Sequence, residues 1–277
     1  MKIDEALKTE VDQLSGSWSQ GDCALGDLDF FYQTNPESPL DSSNVGEQFL
    51  AKSVIGICLL TQTCDVVRSC GTRQFLEFSP LIEVDQRELE DIRTLKRPGY
   101  AYVKGVAELK LVADLDRVMT LDKSMLKMLV RTPGCVSDDQ RRSFACALAR
   151  KRARFAFPDD FHPAMSKLVE RLKKRSGKQS EEGYAIANLR EIRVKAEPSW
   201  DSPNITLTFL FIKDETVISF SEINWIVILD DWLKLVPNEG RYVESYGTFA
   251  TLDDFTAREY VESDVLDLDQ LSVSKEE

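Results

Sequence analysis

The sequence predicts an α+β protein in three parts, and three observations support that prediction. Short, β-branched apolar runs recur through residues 1–130, which is typical of a small, mostly antiparallel β-barrel or curled sheet. Residues 131–178 show helical periodicity and many basic side chains, so we expect a basic helical segment packed on the barrel. Residues 184–277 mix strand-like and helix-like runs with an excess of acid, which indicates an acidic C-terminal α+β unit.

The strongest strand signal lies in the first part. Residues 54–60 are apolar without interruption and rich in β-branched side chains, so we expect a strand that is buried on both faces. Residues 75–84 and 100–106 are also strand-like, and the polar stretch 87–96 between them suits a helix. Residues 115–120 are expected to return as another strand.

Two helices are predicted in the middle of the chain. Ser137 and Gln140 have the spacing of a capping box, so a helix should begin there. A second helix should begin near Pro163 and end before Gly177, because its apolar residues recur at helical spacing. Those residues are Met165, Leu168, Val169 and Leu172.

The C-terminal unit is expected to follow a linker at residues 176–183, which are polar, contain glycine and have little to bury. Residues 191–195 and 205–212 are predicted to be strands. Between residues 221 and 236 the apolar positions suit a helix.

Composition excludes several classes of protein. The chain has 277 residues, with 35 Lys and Arg against 47 Asp and Glu, and a net charge of −12. The hydrophobic fraction of 43% and the charged fraction of 30% are typical of a globular protein and not of a disordered, collagen-like or coiled-coil chain. The longest apolar runs, 54–60 and 225–229, are too short to cross a bilayer. The first five residues carry acid where a signal peptide would be cationic and apolar, so we expect a cytoplasmic protein with six free cysteines.

Charge is distributed unevenly along the chain. Residues 131–178 contain 13 basic and 5 acidic residues, a local charge of +8. Such a ridge suits a phosphate backbone, because each cation that neutralises a phosphate releases a counterion. The candidate RNA-binding or DNA-binding residues are Arg150, Lys151, Arg152, Arg154, Lys167, Arg171 and Lys174.

The acid-rich end of the chain supports an alternative interpretation. Residues 214–277 contain 16 acidic and 4 basic residues, a local charge of −12. The basic ridge could therefore pair with the protein's own acids, and the acidic region could dock a basic protein partner. A further hypothesis is that residues 253–277 mimic nucleic acid and cover the ridge until a partner binds.

One short segment has the residue types of a nucleophilic site. Cys64 and Asp65 follow the end of the predicted central strand, where functional groups are often exposed. A cysteine nucleophile needs a base, normally histidine, and His162 is the only histidine in the chain. A Cys64–His162 pair, oriented by Asp65 or Asp160, is one hypothesis, and a turn that holds an ordinary thiol is the simpler one.

Motifs for bound cofactors are absent from the sequence. There is no Walker loop, dinucleotide-binding glycine pattern, nucleophile elbow or HExxH pair. The cysteines lack the paired short spacings of zinc sites. We therefore expect neither a metal nor another cofactor.

The N-terminal third resembles the plasmid-maintenance ribonuclease toxins of the PemK and MazF type. The resemblance rests on Gly21-Asp22, a long loop, residues 52–61, and residues 75–84 with Ser79-Pro80 inside. It implies an SH3-like barrel, and the toxins of this family cleave single-stranded RNA. In that family a basic residue before the central strand acts with a hydroxyl residue on a later strand. Lys52 stands at the basic position, but Leu81 stands at the hydroxyl position.

Three functions follow as expectations. The first is nucleic-acid binding by the barrel and the basic helices, without cleavage. The second is a protein-interaction role, as an accessory subunit of a bacterial defence or toxin–antitoxin operon. The third is a cysteine-dependent hydrolase or transferase that uses Cys64.

Overall fold

The computed structural model describes residues 5–33, 49–213, 223–236 and 238–266; for residues 33 and 49–52 only the backbone is described. The chain divides into two compact units, Met1–Ala153 and Arg154–Glu277. Each unit combines helices with a β-sheet, so the predicted α+β class is confirmed.

The described residues of the first unit form seven strands and four α-helices. The strands are β1 (Cys23–Gln33), β2 (Phe49–Leu59), β3 (Phe75–Glu83), β4 (Tyr100–Tyr102), β5 (Leu111–Asp114), β6 (Met119–Asp122) and β7 (Arg131–Thr132). The helices are α1 (Glu5–Ser15), α2 (Thr63–Val66), α3 (Gln86–Arg93) and α4 (Asp138–Arg152). Short 3-10 helices span Lys104–Leu109 and Lys123–Met128.

The seven strands form a curled antiparallel sheet in the order β4-β5-β3-β2-β1-β7, and β6 pairs with β3 off this path. Strand β3 accounts for the curl because different parts of it pair with different neighbours. Its first half pairs with β6, its middle with β2 and its end with β5. The expected curled sheet is present, as a half-barrel.

The end of strand β2 is buried on both faces, as its continuous apolar run predicts, although Ile55 in the same run is 48% exposed. Ile57 and Leu59 belong to one hydrophobic cluster, together with Trp18. Cys58 and Leu60 belong to a second cluster on the other face. Successive side chains of a strand point to opposite faces, so a two-sided core requires this uninterrupted apolar sequence.

A close backbone approach joins two loops of the first unit. A Cβ atom at Gly134 would lie 1.8 Å from the carbonyl oxygen of Gly21, so only glycine fits there. The Asp22 carboxylate lies beside this contact, accepts from the Gly134 N–H at 3.2 Å and pairs with Arg131 at 2.6 Å. The ends of β1 and β7 are thereby held together.

The second unit contains four strands and four helices in its described residues. The strands are β8 (Leu189–Glu197), β9 (Ile205–Lys213), β10 (Tyr242–Ala250) and β11 (Asp264–Val265). The helices are α5 (Phe161–Arg175), α6 (Glu181–Ala187), α7 (Trp225–Leu233) and α8 (Ala257–Val261). A 3-10 turn spans Leu252–Asp254.

These four strands form a sheet in the order β10-β9-β8-β11. Strands β9 and β10 are parallel, and α7 lies between them in the chain as a crossover helix. The apolar face of α5 and the buried Trp232 of α7 share one core with β8 and β9. At the start of α5, Asp160 accepts two hydrogen bonds of 2.6 Å from Arg241 and one of 3.0 Å from Tyr242.

The predicted helices are confirmed, and local signals explain why. Ser137 caps α4 by accepting from the Gln140 N–H at 3.3 Å, although the Gln140 side chain accepts from the Val136 N–H and not from the cap residue. Helices α5 and α7 cover the stretches that show helical periodicity.

The boundaries between parts differ from those expected. The segment 131–178 is divided, because α4 belongs to the first unit and α5 to the core of the second. The expected linker 176–183 lies inside the second unit, where Ser180 caps α6 by accepting from the Gly183 N–H. Of the strand expected at 115–120, residues 115–118 form a turn, where Asp114 accepts from the Asp116 N–H, and residues 119 and 120 begin β6.

Among the described residues, no helix is long and apolar enough to cross a membrane.

Candidate functional site

A cleft of about 450 Å³ opens in the first unit where β2 ends and β3 begins, with the last two turns of α4 as one wall. Its lining includes Asp65, but not Cys64, of the candidate nucleophilic segment, and one residue of the expected basic ridge, Arg152. Its charged and aromatic lining residues are Asp65, Arg73, Phe75, Glu77 and Arg152. Gln20 and Gln62 add amide groups, and Leu60 and Leu148 add apolar surface.

Hydrogen bonds hold the floor of the cleft in place. The Thr61 hydroxyl accepts from the Glu77 N–H at 2.7 Å, and the Leu60 N–H donates to the Glu77 carbonyl at 2.8 Å. The Gln20 side-chain amide donates to the Leu60 carbonyl at 2.8 Å, and the backbone N–H of Gln20 donates to the Thr63 hydroxyl at 3.0 Å. The backbone that leaves β2 is therefore anchored on both sides.

A buried lysine fixes the next part of the chain. Lys123 is completely buried, and its ammonium donates to the carbonyl oxygens of Asp65 at 3.0 Å, Val66 at 2.7 Å and Arg68 at 2.5 Å. An ammonium has three donors, so all of them are used. Burial lowers the pKa of Lys123. The lysine binds the end of α2 and thereby orients Asp65.

The charges of the cleft are balanced. The Asp65 carboxylate lies 3.7 Å from the Arg73 guanidinium and 3.4 Å from that of Arg68. Arg68 does not line the cleft. Glu77 lies 3.2 Å from Arg152. These side chains are all at least one third exposed, so each pair contributes little to stability and can exchange partners.

Phe75 is the one aromatic side chain in the lining, and it is 59% exposed. In β3 its neighbour Leu76 is buried, as is Phe78. Strand alternation places Phe75 and Glu77 on the opposite face, which opens into the cleft. This alternation could have identified Phe75 from the sequence, but no local signal connects it to Arg73 or Arg152.

The predicted nucleophilic residues fall in different units. Cys64 and Asp65 lie in α2, and the Cys64 sulfur is exposed, 3.6 Å from the Gln62 side-chain oxygen. The only histidine, His162, is in the second unit, so the first unit contains no imidazole base. His162 lies among aromatic rings, with the Phe157 and Phe161 centroids 6.5 and 6.4 Å away.

The remaining predicted catalytic residue, Lys52, lies on β2 opposite Phe30. Its side chain is outside the described residues. Leu81, at the position of the toxins' hydroxyl residue, is buried in β3.

Four of the other five thiols are protected by burial, whereas Cys146 is exposed. Cys23 and Cys58 are directly opposite each other in the β1–β2 pair and are fully buried. Burial raises the pKa of Cys58 and raises that of Cys135 to about 11. Buried thiols with raised pKa values are poor nucleophiles. Among the described residues, no group of His, Cys, Asp and Glu side chains is arranged to hold a metal ion.

The basic residues of α4 are engaged by their own unit. Arg150 donates to the Leu95 carbonyl, Lys151 pairs with Asp116, and Arg152 pairs with Glu77. These acids do not come from the acidic C-terminal region. The alternative interpretation expected partners in the acidic C-terminal region, and it stays a prediction, because the described ion pairs of Lys151 and Arg152 are with acids of the first unit.

The basic residues of the second unit behave differently from one another. Arg154 is half-buried, and its Nε atom has no hydrogen-bond partner among the described residues. Arg171 and Arg175 both pair with Glu182, at 2.8 and 3.1 Å. The remaining cations of α5 are Lys167, Lys173 and Lys174. They are exposed, and no carboxylate oxygen of the described residues lies within 4.0 Å of their ammonium groups.

No protein-family model matches this chain, and a search of curated proteins finds no match.

Proposed function

We propose that the protein binds nucleic acid through the three exposed lysines of α5. Lys167, Lys173 and Lys174 are named here the α5 lysine surface. The observation that carries the proposal is that these cations are exposed and have no carboxylate within 4.0 Å in the described part of the chain. Lys151, Arg152 and Arg171 of the expected ridge pair with carboxylates, and Arg150 and Arg154 are half-buried. Lys167 and Lys174 are therefore the members of that ridge that are exposed and have no carboxylate within 4.0 Å among the described residues, and Lys173 lies beside Lys174.

The geometry of α5 suits a phosphate backbone. Lys167 and Lys174 are seven residues apart, which is about 10 Å along a helix axis. Successive phosphates of one strand lie within reach of such a pair and of Lys173. The protein as a whole carries a charge of −12, so a local cationic surface must supply the attraction. We expect weak, sequence-independent binding that depends strongly on salt.

A charge-matched pair of variants tests the proposal. One variant changes Lys167, Lys173 and Lys174 to Gln. The control changes three exposed cations of the first unit to Gln, namely Arg87, Lys96 and Lys104. We expect fluorescence anisotropy with labelled single-stranded RNA and duplex DNA at low salt to show loss of binding in the first variant alone. Equal loss in both variants would show only a general charge effect.

The first unit is proposed to be SH3-like, and binding is proposed to occur without cleavage. The resemblance to the PemK and MazF toxins supports the fold. Leu81 has no hydroxyl group, so the partner that cleavage in those toxins needs is missing at this position. Labelled RNA that stays intact under binding conditions supports this part of the proposal, and shortened products that disappear in Lys52→Ala would contradict it.

One observation favours a protein partner as the second candidate function. Ile226 and Val227 of α7 and Tyr246 of β10 are exposed apolar side chains of the acidic second unit. Exposed apolar groups rimmed by charge often mark protein interfaces. A partner that co-purifies with the native chain and is released by Ile226→Ser with Val227→Ser would support this candidate. A partner that binds the variant equally well would contradict it.

A further inference from the structure

We propose that the cleft of the first unit binds a nucleotide, with the base against Phe75 and the phosphate between Arg73 and Arg152. The site lies in the first unit, so it is separate from the α5 lysine surface and does not depend on it. The ligand class follows from four features of the lining: an exposed aromatic ring, two exposed guanidinium groups, the weakly bonded side-chain amide of Gln62 and a volume suited to one small molecule.

The aromatic ring supplies the first feature. Phe75 is 59% exposed at the first position of β3, although burial of an aromatic ring is strongly favourable. A planar base recovers that contact by stacking, and stacking on an aromatic side chain is tolerant of base identity. Ala145 and Ala149, one turn apart on α4, have short side chains that leave room along the wall of the cleft.

The two arginines supply the second feature. Their side chains are 58% and 61% exposed, and a guanidinium matches the oxygens of a phosphate as a two-pronged donor. Exposed ion pairs contribute little, so exchanging a carboxylate for a phosphate is not costly. When the Arg73 guanidinium moves to bind a ligand, the Asp65 carboxylate still has the Arg68 guanidinium as a partner at 3.4 Å. The carboxylate is therefore not left alone.

Amide groups and volume supply the remaining features. The Gln62 side chain has only the weak Cys64 thiol as a partner in the described residues, so its amide can donate to and accept from a base edge. A volume of about 450 Å³ lies within the range of sites for small ligands. Lys123 holds Asp65 and Val66 from below, which keeps the floor of the site preformed.

Such a nucleotide has two possible sources, a free mononucleotide or one unit of an oligonucleotide. Isothermal titration calorimetry with the full chain and AMP, GMP, CMP or UMP tests the first, and a labelled oligonucleotide tests the second. Adenosine and inorganic phosphate serve as half-ligands. We expect a complete nucleotide to bind more tightly than either half, and Phe75→Ala to weaken binding about 5- to 150-fold.

Two matched controls make the result specific. Phe31→Ala removes another exposed phenylalanine of the first unit, and Arg142→Gln removes another exposed arginine of α4. Neither residue lines the cleft. We expect both controls to bind like the wild type, while Phe75→Ala and Arg152→Gln are weakened.

Each outcome decides the inference. Binding of free monophosphates that depends on Phe75 and Arg152 supports it and identifies the free source. Binding of the oligonucleotide alone supports it if Phe75→Ala weakens that binding in the variant that lacks the α5 lysine surface. Absence of binding by both ligands, or binding unchanged in Phe75→Ala, overturns it. Loss of oligonucleotide binding only on removal of the α5 lysines leaves the proposed function standing while this site fails.

Discussion

Replacing Lys123 by methionine tests how the cleft floor is held. The ammonium is completely buried and donates to the carbonyl oxygens of Asp65, Val66 and Arg68. Methionine has a similar length and fills most of the space, but it cannot donate. The substitution therefore removes three hydrogen bonds with little change in volume.

The magnitude follows from the burial of each acceptor. The bond to Val66 is buried, and an orphaned buried carbonyl costs about 1–3 kcal/mol. The bonds to Asp65 and Arg68 are partly buried, so water can replace them in part, at about 0.5–1.5 kcal/mol each. Removing a buried charge offsets some of this loss. We expect a net destabilisation of about 3 kcal/mol, which lowers the melting temperature of a unit of this size by about 6–12 °C.

Thermal and urea unfolding followed by circular dichroism measure this change. Lys127→Met is the control, because Lys127 forms an exposed ion pair with Glu10 at 2.7 Å that should contribute no more than about 1 kcal/mol. If Lys123→Met is as stable as the control, the three carbonyl bonds do not hold the cleft floor and the reasoning is refuted. A destabilised Lys123→Met that is still folded at 20 °C should also bind nucleotides more weakly than the wild type.

Three further predictions concern acid stability, thiol reactivity and packing. The Arg241 guanidinium holds the pKa of Asp160 below its ordinary value of 3.8, so this pair stabilises the fold above that pH and is lost as the pH falls through the lowered pKa. Asp160→Asn should therefore be less stable than the wild type at pH 7, and the difference should disappear in strong acid when followed by circular dichroism. Iodoacetamide should label Cys64 and Cys146 rapidly in the folded protein and the four buried thiols only after unfolding, as read by mass spectrometry. Gly134→Ala should cost at least about 3 kcal/mol in urea unfolding, because its Cβ atom collides with backbone.

Each of these predictions has its own contradicting result. An Asp160→Asn variant that differs from the wild type equally at every pH would show that the carboxylate charge is not involved. Rapid labelling of Cys23 or Cys58 would contradict their burial. Gly71→Ala is the control for Gly134→Ala, since its Cβ atom meets nothing closer than 3.5 Å, and equal stability of the two variants would contradict the close approach.

The elements that the sequence predicted correctly are those whose structure depends on residues close together in the chain. The apolar run of β2 predicted two-sided burial because both faces of that strand carry core residues. Ser137 predicted the start of α4 because a cap depends only on a residue three positions away. The apolar spacing of α5 predicted its buried face because residues three and four positions apart lie on the same side of a helix.

Long-range contacts explain what the sequence could not predict. Helices α4 and α5 look alike in composition, but α5 packs its apolar face into a core built by β8 and β9, so the unit boundary falls at residues 153 and 154. Arg152 meets Glu77 across 75 residues of sequence, and Lys151 meets Asp116 across 35. The periodicity of apolar residues in the sequence gives no information about ion pairs between residues so far apart. The sequence alone indicated Cys64 and Asp65 as candidate site residues. Arg73 and Phe75 could be identified as lining residues of the cleft only from the folded structure.

The salt dependence of nucleic-acid binding tests the central claim most directly. Three phosphate contacts contribute a slope of about −2.7 in the logarithm of the association constant against that of salt for duplex DNA, and about −2.1 for a single strand. Changing Lys167, Lys173 and Lys174 to Gln should make the slope shallower by that amount, while the charge-matched variant of Arg87, Lys96 and Lys104 keeps the wild-type slope. A slope that is unchanged by loss of the three α5 lysines would contradict the account.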